Sequence, residues 1–257
     1  MSVNSYLQDL GSELVLNSAE KNSISISIDS LKSRLSSYFG NDIKDKKLYG
    51  SYVRETILPR KVDENSDVDL MVVFNNPYEY KPQSFLNRLK EFAEHYYTRS
   101  EIYQSSPTIV LELNHIKFEI TPSYIKSNLY YIPMNSSQWM QTDPDGFYSS
   151  LTECNKINNY KVKPVIRLLK YWNINKNNRD IESFELEKTL AKGLMFAFFN
   201  CTSYTDYLKY AFNTINFSAN NDRINNALNC IEEAMRLERE GYPNSAGNEI
   251  KKLFPEV

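Results

Sequence analysis

Two aspartates, Asp67 and Asp69, flank a single valine at the head of the apolar run DVDLMVVF. Residues two apart in a strand point to one side, so both carboxylates project together while Val68 and Leu70 turn into a core. Unit charges about 4 Å apart repel by roughly 1 kcal/mol in water and about 4 kcal/mol at an effective dielectric near 20, so the pair calls for a cation or a proton. A divalent metal meets that need: magnesium takes oxygen from one or two carboxylates and completes its shell with water and substrate phosphates. Glu119, set among Phe118, Ile120 and Thr121 in KFEIT, is the expected third acid on a neighbouring strand. Three converging carboxylates could hold two metals, one activating an attacking hydroxyl and the other binding a triphosphate. Gly50 and Ser51 in LYGSYV supply a candidate phosphate clamp, because glycine admits close backbone approach and a hydroxyl and amides at a helix N-terminus donate to phosphate oxygens.

Each feature has a plainer reading. A lone DxD is mostly surface or turn chemistry, and a GS pair is weaker still; the order GS, then DxD before an apolar run, then an acidic strand is what carries weight. On YKVKPVIRLLKYWN, Val162, Val165, Ile166, Leu169 and Trp172 define a buried stripe, with Lys163, Arg167 and Lys170 along one flank. That flank is either a solvated ridge with snorkelling stems or, given a triphosphate to neutralise, a binding ridge led by Lys170. Arg54 and Thr56 can orient the loop or substrate, or serve the loop alone. His95 and His115 lack metal-ligand spacing, and the pairs Tyr96-Tyr97 and Tyr130-Tyr131 read as packing. No Walker A loop, GxGxxG or HExxH occurs, which disfavours P-loop, Rossmann and zincin chemistry.

The elements that must position these residues follow from periodicity. SIDSLKSRLSSYFGN predicts a helix capped by Asp29 or Ser30 and ended by Gly40; DVDLMVVF a strand ended by Asn75, Asn76 and Pro77; PQSFLNRLKEFAEHYY a helix; TIVLEL and IKFEITPSY a hairpin about Asn114 and His115. From Asn155 the pattern turns helical in YKVKPVIRLLKYWN, ELEKTLAKGLMFAFFN and DRINNALNCIEEAMRLERE. With 30 Lys plus Arg against 32 Asp plus Glu, the formal charge of -2 offers no global field for nucleic acid or membrane. Cys154, Cys201 and Cys230 are odd in number and widely spaced, against a disulfide framework or structural zinc. MSVNSYLQDLGSELVL does not read as a signal peptide, no run is long enough to span a bilayer, and a cytoplasmic setting is expected.

The ordered set GS, DVDLMVVF and FEITPSY resembles the DNA polymerase beta-like nucleotidyltransferase superfamily. LYGSYVRETILPR with SDVDLMVVF, then FEITPSY, VIRLLKYWN and SFELE, resembles more closely the cGAS/DncV-like nucleotidyltransferases of bacterial anti-phage signalling. The resemblance implies an α/β (α+β) nucleotidyltransferase core with a mixed sheet over residues 1–125, an all-α lobe over 126–257, an active site in the cleft between them, and an N-terminal helix able to pack across both. It implies phosphate contact at Gly50 and Ser51, and metal ligation and catalysis at Asp67, Asp69 and Glu119. In the helical lobe it implies triphosphate contact at Lys170, a nucleotide-site serine at Ser183 and base stacking by Phe184. The family commonly has Asp at the third acidic position; Glu119 is one methylene longer, and either acid can supply the ligand.

The implied activity is synthesis of a cyclic or short linear oligonucleotide messenger from nucleoside triphosphates, with release of pyrophosphate and two Mg2+ ions, Mn2+ being a substitute. A monomer is implied, with no obligate nucleic acid, no membrane, and a downstream effector that binds the product rather than the enzyme. Control by an activator protein, base choice, linkage and ring size are open at this level. Two other readings stand beside it: nucleotidyl transfer to a tRNA end or a protein side chain, against which the net acidity weighs, and an inactive nucleotide sensor, against which the three filled acidic positions weigh.

Overall fold

The structure, a computed structural model, describes residues 2–76, 78–192, 198, 200–219 and 222–257, the side chains of 192 and 216–219 excepted. In chain order the elements are α1 (Val3–Glu13), α2 (Ser18–Phe39), a 3-10 turn (Gly40–Asp42), β1 (Ile43–Tyr49), α3 (Gly50–Val53), β2 (Asp67–Phe74), α4 (Pro82–Tyr96), β3 (Glu101–Ser105), β4 (Thr108–Glu112), β5 (Lys117–Lys126), β6 (Leu129–Pro133) and β7 (Trp139–Thr142). There follow α5 (Pro144–Ile157), α6 (Val162–Lys176), α7 (Ser183–Lys192), α8 (Tyr204–Ala219), α9 (Asp222–Arg239) and α10 (Pro243–Leu253). They divide into an α/β unit, Asn17–Arg60 with Glu64–Tyr148, and a helical unit, Met1–Leu16, Lys61–Asp63 and Ser149–Val257.

In the α/β unit the strands run β1-β2-β5-β4-β3, and β6 and β7 pair in series from the far end of β5. This extension carries the unit to Tyr148 rather than to residue 125. Among the described residues only β2 and β5 pair in parallel; β1 with β2, β4 with β5 and β3 with β4 are antiparallel, so the sheet is mixed as expected. Alternation along β2 sends Val68, Leu70, Val72 and Phe74 to one face, all essentially inaccessible to solvent. That face is covered by helices: the Phe74 ring lies 5.1 Å from Phe39 of α2 and 4.8 Å from Phe85 of α4.

The helix expected to be capped by Asp29 or Ser30 begins well before them, at Ser18, and both expected caps lie inside it. Its cap is Asn17, whose side chain accepts from Glu20 N at 2.9 Å while the Glu20 carboxylate accepts from Asn17 N at 2.8 Å, a reciprocal capping box. Ile24, Ile28, Leu31, Leu35 and Phe39 are buried at helical spacing, and Gly40, with φ of 51°, ends the helix as expected. The expected strand at β2 and helix at α4 stand, as does the β4–β5 hairpin. Strands β1, β3, β6 and β7 were not anticipated, because their short polar or mixed runs carry weak alternation. Pro77, and residues 193–197 and 199 in the expected helix ELEKTLAKGLMFAFFN, lie outside the described residues.

In the helical unit, α6 is buried on almost every side, with α1, α7, α8 and α10 packed against it. Trp172 is fully buried and meets Phe212 of α8 edge-on at 4.8 Å. The N-terminal α1 belongs to this unit: Val3, Leu7 and Leu10 are buried, and the Tyr6 hydroxyl donates to Phe254 O at 2.6 Å.

Candidate active site

Strand pairing assembles the acids. In the parallel β2–β5 register, Asp69 lies opposite Glu119 and Asp67 opposite Lys117, so four charged residues share one face of the sheet. The carboxylates of Asp67 and Glu119 are 27% and 28% exposed, whereas Met71, Thr121 and Ser123, farther along the same face, are fully buried. The paired strands β2 and β5 thus hold the acids at a partly accessible end of the sheet, beside residues that are fully buried.

Beneath them runs a polar floor. Tyr49 is the register partner of Asp69 on β1, and its hydroxyl meets Thr121 Oγ1 on β5 at 2.7 Å, which requires its ring to cross β2. Burial, then the Asp69 charge, pushes the Tyr49 phenol far above its ordinary pKa, so it remains a neutral donor or acceptor under all physiological conditions.

The chain turns immediately after Tyr49. Gly50 is buried at φ of 76°, and a Cβ built on it would fall 1.7 Å from Asp69 Oδ2. Only glycine allows the backbone both that conformation and that approach. The amides of Thr56 and Ile57 donate to Ser51 O at 3.0 and 3.2 Å, fixing the loop that follows. Ser51 is half-buried at the second position of the short helix α3, while Arg54 is only 8% exposed with its guanidinium 5.1 Å from the Phe147 ring centroid.

The residue that sequence reading passed over is Lys117. Its Nζ lies 3.5 Å from Asp67 Oδ2 and 3.5 Å from Glu119 Oε1, and its side chain is 13% exposed. Burial lowers its pKa, but the Asp67 and Glu119 charges outweigh that and hold it above the ordinary lysine value. The signal was present in KFEIT, since Lys117 stands two before Glu119 and must share its face.

Asp67, Asp69 and Glu119 offer only hard carboxylate oxygens, the donor chemistry that suits magnesium. Among the described residues, no three His, Cys, Asp or Glu side chains form a ready-made metal cage. A magnesium site of this type needs no such cage, because water and substrate phosphates fill most of its shell. The donor set therefore fits a divalent ion that is completed by its substrate.

The helical unit holds the remaining candidates. Lys163, Arg167 and Lys170 are 8%, 7% and 5% exposed, so the flank anticipated as a solvated or binding ridge is interior. The reason is that other helices surround α6. Arg167 Nη2 donates to Gly11 O at 3.2 Å, and Lys170 Nζ donates to Glu187 Oε1 at 2.6 Å in a pair with side chains 6% and 1% exposed. Glu187 was legible in SFELE, four residues after Ser183 on one helical face. Ser183 is the exposed first residue of α7, and the Phe184 ring is 47% exposed with Lys188 Nζ 5.7 Å from its centroid. His115 Nε2 meets Ser27 Oγ at 3.0 Å, and the His95 ring meets Tyr96 edge-on at 4.7 Å. No described helix is long and apolar enough to cross a membrane.

Comparison with known proteins agrees with this architecture. Residues 1–155 match the model of the Second Messenger Oligonucleotide or Dinucleotide Synthetase domain. A probable cyclic nucleotide synthase of Bacillus cereus (strain VD146) is 25% identical over 268 aligned positions, covering 80% of each chain. Among solved structures, E. coli MS115-1 CdnC with ATP superposes with a TM-score of 0.74 at 14% identity, over 100% of this chain and 98% of its own. The Bradyrhizobium diazoefficiens CD-NTase CdnG in complex with GTP gives a TM-score of 0.74 at 11% identity, over 98% of both chains.

Proposed function

The chain belongs to the Second Messenger Oligonucleotide or Dinucleotide Synthetase domain family and is a nucleotidyltransferase, and from that premise we propose that it joins nucleoside triphosphates into a cyclic or short linear oligonucleotide messenger, releasing pyrophosphate, in cytoplasmic anti-phage defence. The observation that carries the reading is the placement of Asp67, Asp69 and Glu119 on one sheet face, with the Gly50 turn pressed against Asp69.

In this reading Asp67, Asp69 and Glu119 concentrate negative charge where Mg2+ ions, or Mn2+ in their place, would bind. When bound, the metal supplies charge neutralisation for the triphosphate and acidifies the acceptor hydroxyl. The protein's own part is positioning, which accounts for most of the catalysis in phosphoryl-type transfers. Strands β2 and β5 fix the carboxylates, the Tyr49–Thr121 hydrogen bond fixes the floor beneath them, and the Gly50-Ser51 turn brings amides and a hydroxyl toward phosphate oxygens. Arg54 supports that turn from its buried place on Phe147. For Lys170, Ser183 and Phe184 the support for nucleotide contact is the motif they occupy in the helical unit.

The test is incubation with labelled ATP, GTP, CTP and UTP and Mg2+, with products identified by mass spectrometry. A small oligonucleotide product that disappears in Asp69→Asn, while the melting curve is unchanged, is the expected result. Label entering RNA or protein bands instead would redirect the assignment to macromolecular transfer, and no incorporation of any kind would sink it.

A further inference from the structure

A sheet face with three carboxylates clustered at one end needs a cation even when no metal is present. The sequence supplies one from within. Lys117 stands opposite Asp67 in the β2–β5 register and two residues before Glu119 on its own strand, and its ammonium lies 3.5 Å from a carboxylate oxygen of each. At 13% exposure the side chain is held against the sheet. The ammonium thus bridges two acids that a divalent ion would also use. An ammonium in that bridge occupies carboxylate oxygens a divalent ion would need and adds a positive charge beside it, so it weakens the binding of free metal there.

On its other side, Lys117 pairs in register with Glu112 of β4, which shares its face. Glu112 already has Arg60 Nη1 at 3.8 Å, but a carboxylate can take more than one donor, so an ammonium displaced toward β4 keeps an acidic neighbour.

We propose that Lys117 is a resident counter-ion of the acidic cluster, holding Asp67 and Glu119 assembled without metal and opposing divalent-ion entry until a nucleotide arrives. The inference rests on the metal-binding role proposed for these acids. Its consequence is ordered loading. Free metal binds poorly, and a triphosphate, by adding negative charge and further oxygen ligands, shifts the balance from the ammonium to the metal. Lys117 is a positioning residue in this scheme, acting through the carboxylates.

The test reads metal binding rather than turnover. Mn2+ affinity of the nucleotide-free protein is measured by electron paramagnetic resonance of the unbound ion, for wild type, Lys117→Met and Lys117→Arg. Methionine keeps an apolar stem without the charge, and arginine keeps the charge. Lys117→Met is expected to bind Mn2+ at least about tenfold more tightly than wild type, with Lys117→Arg close to wild type and the gain abolished by adding Asp69→Asn. Without metal, Lys117→Met should melt earlier than wild type, and Mn2+ should restore it. Equal or weaker Mn2+ binding by Lys117→Met overturns the proposal, as does a variant that stays unfolded with and without Mn2+, which would make Lys117 a packing residue. Failure of the wild type to produce any nucleotide product would instead strike at the proposed activity, and the metal titration would stand apart from it.

Discussion

Gly50 and Asp69 are in such close apposition that a β-carbon on the glycine would fall 1.7 Å from the Asp69 carboxylate oxygen. A backbone turn at φ of 76° and an acidic side chain on the next strand therefore form one unit. Gly50→Ala must strain the turn and displace Asp69 together. We expect a stability loss of about 1–3 kcal/mol and a fall in product formation of at least about tenfold, since a misplacement of about 1 Å can cost two orders of magnitude. Melting and turnover measured on one preparation test both; an alanine variant with wild-type turnover would show that the apposition is not required.

Tyr49→Phe removes the hydroxyl that meets Thr121 Oγ1 at 2.7 Å and leaves a fully buried threonine hydroxyl without that partner. The expected cost is about 1–3 kcal/mol of stability. Tyr49→Phe with Thr121→Val, which takes away both polar groups, should recover part of it in urea denaturation.

Lys170 and Glu187 form a pair whose side chains are 6% and 1% exposed. Removing either partner leaves a charge in the interior, so Lys170→Met and Glu187→Leu alone should each lower stability by about 3–5 kcal/mol. The double variant should be less damaging than the sum, and a double-mutant cycle in urea measures the coupling. Additive losses would mean that the two side chains act independently.

Asp206 caps α8 reciprocally with Ser203: its carboxylate accepts from Ser203 N at 2.8 Å and from Thr202 N at 3.0 Å, while Asp206 N donates to Ser203 Oγ at 3.2 Å. Burial alone would raise its pKa, but the hydrogen bonds from Ser203 and Thr202 outweigh it and hold the carboxyl below the usual range. A depressed folded value means that the contribution is complete above the unfolded value of about 3.9 and disappears as pH falls through the folded one. Asp206→Ala should therefore cost about 1 kcal/mol near neutrality, with the gap to wild type closing below about pH 4. Denaturation midpoints at both pH values test the sign.

The three clustered acids were legible because their signal is local. Alternation in DVDLMVVF places Asp67 and Asp69 together whatever the strand pairs with, and Glu119 is conspicuous among apolar neighbours. The beginning of α2 was not legible, since SAEKNSISIS is polar with only Ile24 strongly buried, and the Asn17–Glu20 capping box that starts it lies outside the apolar rhythm. Strands β1 and β3 escaped for a related reason: β1 reads IKDKKLY, whose charges mask the Tyr49 that ends it against Asp69.

By itself, then, the sequence determined faces and turns: which side of β2 carries the carboxylates, where glycine must bend the chain after Tyr49, and which stripe of α6 is apolar. These are set by two- and three-to-four-residue periodicities, over which the backbone is its own ruler. Tertiary structure decided adjacency. Only the parallel pairing of β2 with β5, between segments fifty residues apart, sets Asp69 beside Glu119 and lodges Lys117 between Asp67 and Glu119. Likewise, only the packing of α1, α7, α8 and α10 around α6 turned Lys163, Arg167 and Lys170 from an expected surface flank into buried side chains. A helix's periodicity specifies its own faces, but how many of them are covered depends on elements that arrive from elsewhere in the chain.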